Sequence, residues 1–164
     1  MSFQNPYFAP SIARSSLTSG YGPNLGQKHI DQLGRVWIYG QANGAFDAGD
    51  VGQMSEDGTY DFTPMTTSTL NSIARQLGVP DIALTDNQYA WFFIGGIGTV
   101  DFEIICANGL SANSILTSTA TAGELGSGGT PIDGARNIDA GVTNTRVTVK
   151  VFGNLTAGVT AAYD

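Results

Sequence analysis

The chain has 164 residues, of which 41% are hydrophobic, only 13% are charged and 22 are glycine. This length is typical of a single domain, and the hydrophobic content is sufficient for a buried core. The formal charge of −7 and the pI of about 4.3 argue against general nucleic-acid binding, which requires a basic surface to displace the counterions of phosphate.

The sequence also lacks the signals of export and of membrane insertion. Residues 1–6 do not combine a basic segment with an apolar run, so we expect no signal peptide. The longest apolar run, residues 89–97, contains two glycines and is shorter than the about 18 apolar residues of a membrane-spanning helix. The single cysteine, Cys106, excludes an intrachain disulfide framework. We therefore expect neither export nor a membrane partner.

Residues 1–30 are predicted to form an extended arm, and residues 31–164 a single β-domain. The apolar residues of the arm follow neither the strand period nor the helix period, and its prolines favour extended backbone. One short helical turn is expected within residues 11–17. Because such an arm cannot bury its own rings, it lies either on the body of the domain or on a neighbouring protein.

Short β-prone runs separated by turn residues make up the chain from about residue 34 onwards. Asp57 and Gly58 suit the tight turn of a hairpin. We predict strands at residues 35–39, 51–54, 60–65, 89–94, 100–106, 114–117, 145–152 and 158–163. About eight short strands predict an all-β fold, a small β-sandwich or β-barrel of antiparallel strands.

Three further segments are predicted from local patterns. Residues 66–77 favour a short helix, because Leu70, Ile73 and Leu77 recur at helical spacing. The glycines of residues 95–98 are expected to end the preceding strand, and residues 124–131 to form a flexible glycine-rich loop.

Catalytic groups are nearly absent from the sequence. His29, the only histidine, lies in the polar arm, where we expect a solvated or interface side chain rather than a general base. Cys106 lies on the apolar face of a predicted strand, which favours a buried thiol. One histidine and one cysteine are too few for a zinc site. We therefore predict that the protein is not an enzyme and holds no cofactor and no metal.

The aspartates and tryptophans leave three alternatives open. Turn aspartates ordinarily bond to local backbone, although Asp47 and Asp50 could hold calcium and paired aspartates could serve a small hydrolase. Trp37 and Trp91 lie within apolar strands and are expected in the core. A carbohydrate-binding β-sandwich would instead expose both rings in a groove.

Three segments contain short motifs that are specific enough for comparison. Residues 36–51 contain Gln-Ala-Asn-Gly and end in Asp-Ala-Gly-Asp-Val; residues 77–91 contain Gly-Val-Pro and end in Tyr-Ala-Trp. Residues 116–123 read Leu-Thr-Ser-Thr-Ala-Thr-Ala-Gly. Together these segments resemble the head decoration (cement) proteins of tailed bacteriophages. The resemblance covers roughly residues 35–125, and the second segment is its most specific part.

The resemblance implies a compact β-domain, often trimeric, that binds the outer face of an icosahedral head and clamps neighbouring major capsid protein subunits. Such a protein is made in the host cytoplasm, becomes part of the virion and has no active site; a tail or baseplate component is the alternative. We predict that the aromatic residues of the arm, and some residues beside them, contact the capsid, because aromatic residues dominate interface energetics. The predicted interface residues are Phe3, Tyr7, Phe8, Ile12, Arg14 and Tyr21.

Overall fold

The computed structural model describes residues 8–15, 23–68, 75–107, 110–127, 129–137 and 145–157. These residues form ten strands and no helix, which confirms the all-β prediction. Accordingly, none of them belongs to a helix long and apolar enough to cross a membrane. The strands are β1 Lys28–Ile30, β2 Arg35–Ala42, β3 Gly52–Met54, β4 Asp61–Pro64, β5 Arg75–Pro80, β6 Tyr89–Cys106, β7 Ile115–Ser118, β8 Leu125–Gly126, β9 Pro131–Asn137 and β10 Thr145–Ala157.

All ten strands belong to one mixed sheet with the order β1-β2-β4-β3-β5-β10-β6-β8-β7-β9. Additional pairings of β6 with β2 and with β5, and of β10 with β9, fold the sheet back on itself. The pairs β2–β4 and β6–β8 are parallel, whereas we expected only antiparallel pairs. The result is consistent with a small sandwich-like or barrel-like fold.

Strand β6 is the central element, and it is longer than the sequence predicted. The glycines of residues 95–98 bend β6 but do not end it, so the predicted break there is wrong. At the bend Gly95 has a φ of 151°, and the register with β10 shifts between Phe152 and Asn154. Beyond the bend the predicted alternation holds: Phe102 and Ile104 are buried, while Asp101 is exposed.

Two other local predictions are wrong. Residues 75–77 belong to β5 rather than to a helix. Within β5, Leu77 pairs with Gln53 and is fully buried. Residues 69–74 of the predicted helix lie outside the described part. The predicted flexible loop at residues 124–131 contains β8, whose Leu125 is also fully buried.

The remaining differences are two unpredicted strands and shifted element ends. Strands β1 and β9 were not predicted, and β10 continues to Ala157. Within residues 11–15, the described part of the predicted helical turn, the chain makes a β-bridge at Arg14. The rest of that turn and the predicted strand at residues 158–163 lie outside the described residues.

The core consists of two apolar clusters on opposite faces of β2 and β6. Along β6, Trp91 and Phe93 contribute to the larger cluster while Phe92 belongs to the other, as expected for a strand covered on both sides. Phe93 stacks on Phe102 with ring centroids 4.0 Å apart, and Phe92 stacks on Phe62 at 4.1 Å. Such contacts make β2 and β6 the packing centre of the fold.

Candidate interaction surfaces

Cys106 is a structural thiol, as the sequence predicted. Its side chain is fully buried, and burial together with the charge of Glu124 raises its pKa to about 12. Because the thiolate is the nucleophilic form, a thiol with such a pKa is unreactive near neutral pH.

The Asp47–Asp50 turn also behaves as predicted. The Asp50 carboxylate accepts a hydrogen bond from the backbone N–H of Asp47 at 2.7 Å, which closes the turn between them. Burial raises the pKa of Asp50, and the charges of Asp47 and Glu124 add to the effect although that hydrogen bond opposes it. The described residues contain no group of three histidine, cysteine or acidic side chains that could hold a metal ion.

Both tryptophans are in the core. Trp37 and Trp91 are each only 1% exposed, which confirms the core prediction. A platform for sugar stacking needs exposed ring faces, so these two residues cannot supply one.

Phe8 connects the arm to the body of the domain. Its ring centroid lies 3.9 Å from that of His29, 5.3 Å from Trp91 and 5.7 Å from Trp37. His29 is therefore half-buried against aromatic rings rather than fully solvated. Because the Phe8 ring packs within the domain, little of its surface remains accessible to a partner protein.

The other predicted interface residues differ in their surroundings. Arg14 and Tyr89 exchange two backbone hydrogen bonds, of 2.9 and 2.8 Å, so this part of the arm also lies on the domain. Ile12 is 50% exposed. Phe3, Tyr7 and Tyr21 lie outside the described residues.

Replacement of Phe8 tests the docking of the arm. We expect Phe8→Ala to lower the free energy of unfolding by about 1–3 kcal/mol, because it removes a partly buried ring from an aromatic cluster. Tryptophan emission should shift to longer wavelength as Trp37 and Trp91 gain contact with water. Ile12→Ala, an exposed position on the same segment, is the matched control and should change neither quantity. Wild-type stability and emission in Phe8→Ala would contradict this account of the arm.

Four large apolar side chains are exposed where the turn before β2 meets the bend of β6; we call them the apolar end patch. The exposed fractions are 53% for Ile30, 69% for Leu33, 65% for Ile97 and 45% for Phe152. Single exposed apolar residues are common, whereas grouped ones mark interaction sites.

Backbone pairing brings these residues together. The carbonyl of Gly34 accepts a 2.8 Å hydrogen bond from the N–H of Ile97, which joins the β1–β2 turn to the bend of β6. Two residues further along β6, Thr99 pairs with Phe152 of β10. Ile30 is the last residue of β1, directly before the turn. The patch therefore combines side chains from three neighbouring segments.

Asp31 fixes the turn that carries Leu33. Its carboxylate accepts hydrogen bonds from the N–H of Leu33 at 2.9 Å, the N–H and Nε of Arg35 at 3.0 and 2.6 Å, and Nε1 of Trp37 at 3.1 Å. Burial tends to raise the pKa of Asp31, but these hydrogen bonds outweigh it, and the pKa lies below its usual value of 3.8. The turn is thus held in one conformation by an ionised carboxylate.

The exposed face of β6 and β10 carries charges that compensate one another. Lys150 lies 3.0 Å from Asp101, and Arg146 lies 2.7 Å from Asp81 and 3.3 Å from Glu103. Paired exposed charges of this kind stabilise little and leave no net basic surface for a polyanion.

The sequence analysis missed the apolar end patch. Leu33 and Ile97 were visible as apolar residues next to glycines, within a turn and a glycine-rich bend. That signal is weak, because it does not indicate that residues more than sixty positions apart are hydrogen-bonded neighbours.

Residues 36–51 are hydrogen-bonded both to residues 77–91 and to residues 116–123, the two other segments with motifs noted in the sequence. Phe46 and Leu84 exchange two backbone hydrogen bonds of 2.9 Å, which join the first segment to the second. The N–H of Val51 donates to the carbonyl of Gly123 at 2.7 Å, which joins the first to the third.

Comparisons with protein-family models, curated proteins and solved structures found no match to this chain.

Proposed function

We propose that this protein is a virion structural protein that binds the outer face of an icosahedral bacteriophage head and clamps neighbouring major capsid protein subunits. The observation that carries the proposal is the contact among the three resembling segments: residues distant in sequence that resemble one protein class form one hydrogen-bonded unit around β2 and β6. A homo-oligomer, with a trimer favoured, would present several such units to the head.

The chemistry of the described residues supports a binding role. Cys106 is buried with a raised pKa, His29 packs on Phe8, and the Asp47–Asp50 turn uses its carboxylate locally. Each group is used for structure, so these residues offer no activated nucleophile or base. The protein acts by contact rather than by turnover.

The capsid contact is assigned to the arm upstream of Phe8. Phe8 is fixed on the domain, and the seven residues that precede it in the sequence carry two further aromatic side chains, Phe3 and Tyr7. The affinity of each contact with a coat subunit can be modest. Once one subunit is bound, binding to the next subunit becomes an intramolecular step.

Deletion of residues 1–7, with Phe8 retained, tests this assignment by co-sedimentation with expanded heads that lack the protein. We expect the full chain to saturate the heads at a fixed stoichiometry and the deletion to weaken binding at least about tenfold. The double variant Phe3→Ala/Tyr7→Ala keeps the chain length and should reproduce most of that loss. Thermal unfolding of both variants should match that of the wild type, since Phe8 remains in place.

Two results would contradict different parts of the proposal. Saturation of heads by the deletion variant would show that the arm is not the contact. Failure of the full chain to sediment with heads would overturn the assigned function, and its recovery on isolated tails would favour the tail or baseplate alternative.

A further inference from the structure

We propose that the apolar end patch is the surface through which copies of this chain associate with one another. The patch presents Ile30, Leu33, Ile97 and Phe152, each at least 45% exposed, on segments that backbone pairing joins at the bend of β6. No strand or loop among the described residues covers these side chains. Self-association through this patch does not depend on head binding, so it can be tested without heads.

The charges around the patch favour a second copy as its occupant. The charged residues of β1, the β1–β2 turn, β2, β6 and β10 provide four positive charges and three negative ones: Lys28, Arg35, Arg146 and Lys150 against Asp31, Asp101 and Glu103. The whole chain, in contrast, has a formal charge of −7, so the excess of negative charge lies on the rest of the molecule. Two copies therefore repel each other least when they meet at this end.

Most of these charges are also neutralised locally. Arg35 lies 2.6 Å from Asp31, and Lys150 lies 3.0 Å from Asp101. Neighbouring copies thus meet with apolar side chains at the centre and paired charges around them, the usual arrangement of a specific interface.

The patch is ordered before association. The Asp31 carboxylate fixes the backbone of Leu33, and the hydrogen bond from Ile97 to Gly34 fixes the bend of β6 against the turn. Little conformational entropy is then lost on binding, which favours a stable complex from a small patch.

Analytical ultracentrifugation of the full chain over a range of concentrations tests this inference. We expect the wild type to form a discrete oligomer, and Leu33→Asp and Ile97→Asp each to raise its dissociation constant at least about tenfold. The effect is large because a symmetric interface contains every substituted residue more than once. Both positions are well exposed, so the folded monomer should persist, as checked by far-ultraviolet circular dichroism.

Ile115→Asp is the matched control. Ile115 is 51% exposed on β7, outside the patch, and its replacement adds the same negative charge. The control should associate like the wild type. A monomeric wild type, or an oligomer that survives Leu33→Asp and Ile97→Asp, would overturn the inference. A monomeric wild type whose head binding is lost in Leu33→Asp would instead make the patch a coat contact.

Discussion

Asp31→Ala is expected to lower the free energy of unfolding by about 2–4 kcal/mol at neutral pH. The substitution removes the acceptor of four hydrogen bonds and leaves the guanidinium of Arg35 and Nε1 of Trp37 without this partner. The Asp31 side chain is only 9% exposed, so water replaces these bonds poorly. Denaturant unfolding followed by tryptophan emission measures the loss.

The pH dependence gives a second readout of Asp31. Because its pKa is lowered in the folded protein, Asp31 contributes stability above its ordinary pKa of 3.8 and loses it as the pH falls through the folded value. The difference between wild type and Asp31→Ala should therefore shrink on acidification. Asp31→Asn, which keeps one acceptor oxygen, should fall between the two at neutral pH. Equal stability of wild type and Asp31→Ala at neutral pH would show that the turn is held by other contacts.

Gly95→Ala is expected to lower the free energy of unfolding by more than about 3 kcal/mol. A Cβ at this position would overlap the carbonyl oxygen of Gly153, which is backbone and cannot rotate away. The φ of 151° is also one that side chains other than glycine rarely adopt. The substitution would therefore separate β6 from β10 at the bend.

Gly98→Ala separates the two causes of that loss. Gly98 has a φ of 78°, but an added Cβ would meet no atom within 4 Å. Only the backbone strain applies there, so we expect a cost of about 1–2 kcal/mol. Equal stability of Gly95→Ala and Gly98→Ala in thermal unfolding would show that β6 and β10 leave room for a side chain at Gly95.

Strands with strong alternation could be predicted because their pattern is local. In β10, Val147, Val149 and Val151 alternate with polar residues, and all three are buried. The same reasoning placed Cys106 and both tryptophans in the core. A side chain that points to one face of a strand keeps that period wherever the strand lies in the fold.

The elements that were missed depend on partners far away in the chain. Leu77 fits a helical pattern, yet β5 forms because Gln53 and other residues of neighbouring strands pair with it. Leu125 lies in a glycine-rich stretch, and its burial follows from pairing with Cys106 and Ser118. Local periodicity contains no information on such pairings.

The surfaces were predictable to a smaller extent. The aromatic character of the arm indicated that Phe8 needs a partner, but the choice between its own domain and a neighbour depends on the positions of Trp37 and Trp91. The apolar end patch depends on the proximity of Leu33 and Ile97, which only the pairing of β2 with β6 creates.

Cryo-electron microscopy of purified mature virions tests the proposed function most directly. The account predicts density for this β-domain at regular, symmetry-related positions on the outside of the head, in contact with more than one coat subunit. Virions that lack the chain, or that hold it only in the tail, would contradict it.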